Sequence, residues 1–232
     1  MLDKNDPKTW RDTVKVGDIL TLTDEQTLAD LMDEKAANAL RGLDLTIVEK
    51  ERIKQQDGDF EFIWFELEGY KSEGRDVPLW LAVKIAKGAR DLDLRIYFQP
   101  DDFEAGGRED VIDAGNHWLF EPPEDEDDFI LGELEHASTI NNDDEEAGKV
   151  VFEAKTPTVF GECWRASETE PIFISITEYL ANKACKNPEC ITIEYGGLDE
   201  DGNQSDEGGF VVFRQGETTD ANSIDIMPVT AS

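Results

Sequence analysis

Three groups of residues in this chain have types and spacings that could do chemistry. Cys163, followed at once by Trp164, is a thiol that could act as a nucleophile if a base stood beside it, and His117 and His136 are the two histidines that could be that base. Cys185 and Cys190, five apart, could join Cys163 and the histidines around a zinc ion. Asp199, Asp201 and Asn203 fall at the first, third and fifth positions of a calcium loop, where side-chain oxygens converge on the ion. Each pattern breaks where its chemistry needs support.

The run Gly161, Glu162, Cys163, Trp164 resembles the nucleophile segment of papain-like proteases over four residues. In that family the base histidine follows the cysteine along the chain, whereas both histidines here precede it, and Pro171 interrupts the helix that should follow the nucleophile. The zinc reading lacks the paired close spacings, such as two cysteines three apart, that tetrahedral sites use. In the calcium reading the sixth place holds Gln204 where glycine belongs, and the twelfth holds Phe210 where a bidentate glutamate belongs. Asp199, Asp201 and Asn203 are thus a weak calcium candidate, read first as a hairpin loop turning at Gly202 and Asn203. With 54 acidic residues some close carboxylate pair is inevitable, so abundance distinguishes none of them as an acid and base pair. No catalytic residue, cofactor or metal is assigned. The reading is non-catalytic, with an enzyme built from scattered residues as an alternative.

What distinguishes the chain is charge. Its net charge is −32, and the segment from Glu109 to Gly148 holds fifteen acidic residues with no Lys or Arg. Residues 1–120 carry 16 basic against 27 acidic residues, a net of −11, and residues 121–232 carry 6 against 27, a net of −21. Such a surface repels phosphate backbones and anionic lipids, which excludes direct nucleic-acid and membrane binding and favours a basic protein or other cationic partner. The expected contacts are the runs Glu124, Asp125, Glu126, Asp127, Asp128 and Asp143, Asp144, Glu145, Glu146, with Trp118 and Phe120 as apolar anchors. An acidic interaction or accessory protein is one function that fits, and a nucleic-acid mimic that inhibits a DNA- or RNA-binding protein is the other. High acidity also serves solubility alone.

Compartment follows from what the chain lacks. The stretch from Met1 to Asp12 has no secretory apolar run, the longest apolar runs are as short as Leu79 to Val83, and three cysteines do not make a disulfide framework. A cytoplasmic, soluble protein is expected, of undetermined oligomeric state.

The elements that would carry these residues are mostly strands. Val14 to Leu22 alternates as a first strand; Thr23 with Gln26 caps a helix over Asp24 to Arg41, whose stripe includes Leu31 and Leu40 and which stops at Gly42. Leu45, Ile47 and Ile53 share one strand parity, and Phe60 to Glu68, Leu79 to Ile85 and Asp91 to Gln99 continue the pattern. The expected fold is α+β and β-rich: residues 1–108 form a small antiparallel barrel-like sheet covered by the one helix, 109–148 form an acidic, partly ordered connection, and 149–232 form a second small α+β domain. In the last, strands are expected at Lys149 to Lys155, Thr158 to Trp164, Pro171 to Ile176, Cys190 to Tyr195, Gly209 to Arg214 and Ser223 to Met227, with a helix over Thr177 to Ala184.

Overall fold

The structure, a computed structural model, describes residues 2–23, 38–55, 58, 60–72, 75–86, 92–99, 117–121, 133–136, 150–154, 158–181, 189–203 and 210–229, with the backbone alone at 72, 75, 117–121, 133–136, 150, 151, 153 and 211. A short π-helical turn, Thr9–Thr13, precedes β1 (Ile19–Leu22), β2 (Asp44–Gln55), β3 (Phe60–Glu68), β4 (Lys71–Ser72), β5 (Arg75–Asp76), β6 (Leu79–Ala86) and β7 (Leu92–Phe98). There follow β8 (His117–Glu121), β9 (Glu133–His136), β10 (Val150–Ala154), β11 (Val159–Arg165), β12 (Ile172–Ala181), β13 (Cys190–Leu198), β14 (Phe210–Thr219) and, after a single 3-10 turn at Ala221–Ser223, β15 (Ile224–Met227).

Eight of these strands close on themselves. Neighbour follows neighbour through β2, β3, β6, β7, β14, β13, β12 and β11, and β11 returns to β2, every pairing antiparallel. Four strands come from residues 44–98 and four from 159–219, so the ring has two seams between the halves of the chain. At one, Leu94 to Phe98 pair with Gln215 to Thr219; at the other, Glu51 to Gln55 pair with Gly161 to Arg165. The barrel expected from the first half alone is therefore completed by the second. The second small α+β domain does not appear, because the segment expected as a helix, Thr177 to Ala184, is strand through Ala181. Its β-branched and aromatic residues, Ile172, Ile174, Ile176, Thr177 and Tyr179, fit a pleated surface buried on both faces, and tertiary pairing overrides the local helical pattern. The expected covering helix falls largely outside the described residues; 38–40 are helical, with Leu40 fully buried and Gly42 beyond it in the left-handed region at φ 72°.

Two long strands reach past the ring. β2 pairs with β1 at Asp44 to Thr46 before it meets β11, and β15 lies beyond β1; β12 pairs with β11 at Ile172 to Ile176 and then with β10 at Tyr179 to Ala181, beyond which lie β8 and β9. A bulge in β2 between Ile47 and Glu49 inserts Val48 and reverses which residues face inward. Leu45 and Ile47, before it, pack outside the barrel, while Ile53, after it, packs inside. The shared parity expected for these three is thereby corrected.

Among the described residues the buried apolar side chains form one cluster inside the ring and two outside. Ile53, Phe62, Trp64, Trp80, Ala82, Tyr97, Val159, Cys163, Ile174, Ile176 and Cys190 come from seven strands around the ring, a set that can meet only in the lumen. Outside, Trp10, Leu20, Leu40, Phe65 and Ile96 belong to a cluster on β3, β6 and β7, and Phe152, Tyr179, Ile193 and Phe213 to another on β12, β13 and β14. Burying side chains of this size contributes roughly 1.5–3 kcal/mol each. Lys50 ties the N-terminal turn to β2, its Nζ donating to the carbonyls of Trp10, Arg11 and Val14 at 2.7–2.8 Å.

Candidate functional site

An eight-stranded barrel has an interior just wide enough to be filled by side chains or to hold one small ligand. Here side chains fill it, and many are charged. Alternation along each strand sends every second residue inward, and in β13 that set is Cys190, Thr192 and Glu194, in β14 Arg214 and Gly216, and in β2, beyond the bulge, Glu51 and Ile53. Register then brings the charges together. Glu51 lies directly across from Arg165 on one side and from Trp64 on the other, and Thr192 lies across from Arg214.

The first charged group is Glu51, Arg165, Glu194 and Arg214. Arg165 Nε donates to Glu51 Oε1 at 2.8 Å, and Arg214 Nη1 donates to Glu194 Oε2 at 2.7 Å. Glu51 and Glu194 are 2% and 1% exposed. The Arg214 guanidinium rests on two indoles, 4.4 Å from the ring of Trp80 and 4.7 Å from that of Trp64, an arrangement that suits its flat, weakly hydrated cation. Several buried polar atoms here have no partner: Glu51 Oε2, Glu194 Oε1, Arg214 Nε, Thr192 Oγ1 and both indole nitrogens. Burial, then the charge of Glu194, pushes the Glu51 carboxyl up to about 7, against the pull of Arg165 and Arg214. Glu66, also inward on β3, is raised by burial and then by Glu49. Glu49 lies lower than usual: partial burial would raise it, but hydrogen bonds from Ser167, Lys50 and Ala166 outweigh that.

The second charged group surrounds Glu178 on β12. Lys84 Nζ is 3.3 Å from Glu178 Oε2, Arg95 Nη1 is 2.9 Å from Oε1, and Tyr97 donates its hydroxyl to Oε1 at 3.4 Å. Arg95 also donates to Asp93, through Nε at 3.2 Å and Nη2 at 3.1 Å. The Arg95 Nη1 contact is an ion pair by distance without an aligned N–H. Arg95 stays charged although burial opposes it, because Tyr97, Cys190, Glu178 and Asp93 surround it. Cys190 donates its thiol to the Gly216 carbonyl at 3.1 Å, and burial pushes that thiol up to about 12. Gly216 is required where it stands, since a Cβ there would overlap the Tyr97 ring. Trp64 lies against both groups: Arg214 rests on it, and the Tyr97 ring lies beside it, tilted, at 4.9 Å. The free space beside Lys84, Arg95 and Glu178 is a cavity of about 10 Å³, room for roughly one water.

The residues singled out from the sequence lie elsewhere. Cys163 is fully buried in the lumen, and burial, then Glu51 and Glu194, holds its thiol above the ordinary range, so it is a poor source of thiolate. Trp164, its neighbour, points outward and is 41% exposed, with Nε1 donating to Glu162 at 3.0 Å. Asp199 forms a turn, its Oδ1 accepting from the backbone of Asp201 at 3.0 Å and Asn203 at 2.8 Å; these bonds, that from Asn203 foremost, hold its carboxyl below the usual range. Among the described residues no cluster of three or more His, Cys, Asp or Glu is placed to hold a metal ion. Trp118 and Phe120 lie on β8, between β9 and β10, where Trp118 is in register with His136 and Phe152, and Phe120 with Leu134 and Val150. The acidic runs at 124–128 and 143–146, and Cys185, fall outside the described residues.

Reading by sequence missed the lumen's charges because alternation separates two faces without saying which is inside. In β13 and β14 the polar face went in. The available signal was the bases of the second half: two of its six, Arg165 and Arg214, stand in strands where solvated lysines would serve a plain surface. Among the described residues no helix is long and apolar enough to cross a membrane. No protein-family model, curated protein or solved structure matches this chain.

Proposed function

We propose that this is a non-catalytic, strongly acidic interaction protein that docks on a basic partner. The observation that supports it is where the cations go. Lys84, Arg95, Arg165 and Arg214 turn into the barrel and pair with Glu178, Glu51 and Glu194, and Lys50 is spent on backbone carbonyls. Arg11 and Arg52 converge on Glu61. With these bases held internally, the acidic residues outside have fewer cations among them, and the exterior field of a chain whose net charge is −32 attracts cations. Among the described residues the lumen is filled with paired charges and rings, which favours a surface function over an internal one. The partner contacts we assign are Trp118 and Phe120 with Glu124 to Asp128 and Asp143 to Glu146, in a cytoplasmic setting that suits the unpaired Cys163 and Cys190.

The test is capture from a native lysate at low salt, repeated near 0.5 M salt, where the Debye length falls to roughly 4 Å. The partner should be lost at high salt, and the quintuple change Glu124→Gln, Asp125→Asn, Glu126→Gln, Asp127→Asn, Asp128→Asn should weaken capture in the same way. A partner released by competing DNA or RNA would make the protein a nucleic-acid mimic. Capture indifferent to both salt and the neutralised run would overturn the electrostatic reading.

A further inference from the structure

We propose that the Glu51 carboxyl, beside Glu194, keeps its proton in the folded barrel, and that this proton holds the β2–β11 seam closed. The proposal concerns the interior and does not depend on the docking reading. Charge inventory is the first support. Glu49, Glu51, Glu66 and Glu194 occupy inward positions in this part of the lumen against two guanidiniums, Arg165 and Arg214, so carboxylates outnumber cations there, and Glu49 is further held by the backbone N–H groups of Ala166 and Ser167. Arg165 has a side chain 26% exposed, so water screens the cation nearest Glu51, whereas the Arg214 side chain is 3% exposed and already pairs with Glu194.

Geometry is the second support. Glu51 and Glu194 each use one oxygen on a guanidinium and leave the other buried without a partner. A bare carboxylate oxygen in that state costs several kcal/mol less once protonated, since a neutral acid can donate where an anion cannot. The groups facing Glu51 are Trp64 and Glu66 on β3, Cys163 and Arg165 on β11, Glu194 on β13 and Arg214 on β14. The Cys163 thiol stays neutral there, so it supplies no competing charge. Glu51 sits at the closing edge, opposite Arg165, and losing the proton places a second buried negative charge where the halves of the chain join.

The direction with pH follows. The folded state holds this proton up to about pH 7, whereas an unfolded glutamate releases it near 4.5, so the stabilisation is complete below the lower value and is lost as pH rises through the upper one. Amide hydrogen exchange across pH 5 to 8, corrected for the intrinsic rate, reads this seam by seam. Protection of Gly161 to Arg165 should fall by up to about tenfold between pH 6 and 8, while that of Leu94 to Phe98 at the other seam changes less. In Glu51→Gln, which cannot ionise, protection at the β2–β11 seam should stay level. A ¹³C carboxyl titration of Glu51 in the unaltered protein should show a midpoint near 7 and provides the test should the variant fail to fold. A midpoint in the ordinary glutamate range, equal pH profiles at both seams, or a pH-dependent seam in Glu51→Gln would overturn the proposal.

Discussion

Two charged groups share one barrel, and they solve the problem of buried charge differently. Around Glu178, two cations and a hydroxyl from two neighbouring strands, Lys84, Arg95 and Tyr97, converge on one carboxylate. Around Glu51 and Glu194, each carboxylate has one guanidinium and one idle oxygen. Redundancy protects the first group; in the second every partner is essential. Buried pairs are costly to form and far more costly to break, because removing one member strands the other. Tolerance to substitution should therefore follow the number of partners and not burial, which is nearly the same in both.

The largest effect is expected for Arg214→Ala, which strands Glu194 and uncovers the indoles of Trp64 and Trp80. Urea unfolding should show a loss of about 3–5 kcal/mol. The double change Arg214→Met with Glu194→Leu should recover most of it, since an apolar pair of similar volume removes the stranded charge. Arg95→Ala comes next, at roughly 1–3 kcal/mol by the same measurement, because Lys84 and Tyr97 still hold Glu178. A loss as large as that for Arg214→Ala would erase the distinction between the groups. Smallest is Tyr97→Phe, about 1 kcal/mol, which keeps the ring against Trp64 and Gly216 and deletes one of the three groups that hold Glu178.

Much of the strand pattern was legible in the sequence, because β3 and β6 read as near-continuous apolar and aromatic runs and β7 as a strict alternation. What was illegible depended on long-range pairing. The Val48 bulge is a one-residue insertion with no mark of its own, yet it decides that Glu51 faces inward. Thr177 to Ala184 carries a local helical pattern that, through Ala181, pairing with β13 and β10 overrides. β8 and β9 lie in a stretch whose acidity masked their apolar residues, and each gains strand form by pairing. The lumen charges look like solvated strand faces until the ring is closed around them.

The two seams also bear on how the chain reaches this state. Arg165 meets Glu51 across 114 residues, and β1 meets β15 across more than 200. Pairings so distant in sequence make for slow folding, in the millisecond to second range or longer. During synthesis, β2, β3, β6 and β7 emerge first and wait on the order of ten seconds for β11 to β14. Until then the sheet has two open edges, each a template for pairing with another chain. Those edges are β2 and β7, and they carry Glu51, Arg52 and Lys54 on one and Asp93 and Arg95 on the other. Charges on an unpaired edge discourage strand addition by strangers. Glu51 and Arg95, which make the finished interior costly to assemble, thus also help to guard the unfinished sheet against aggregation.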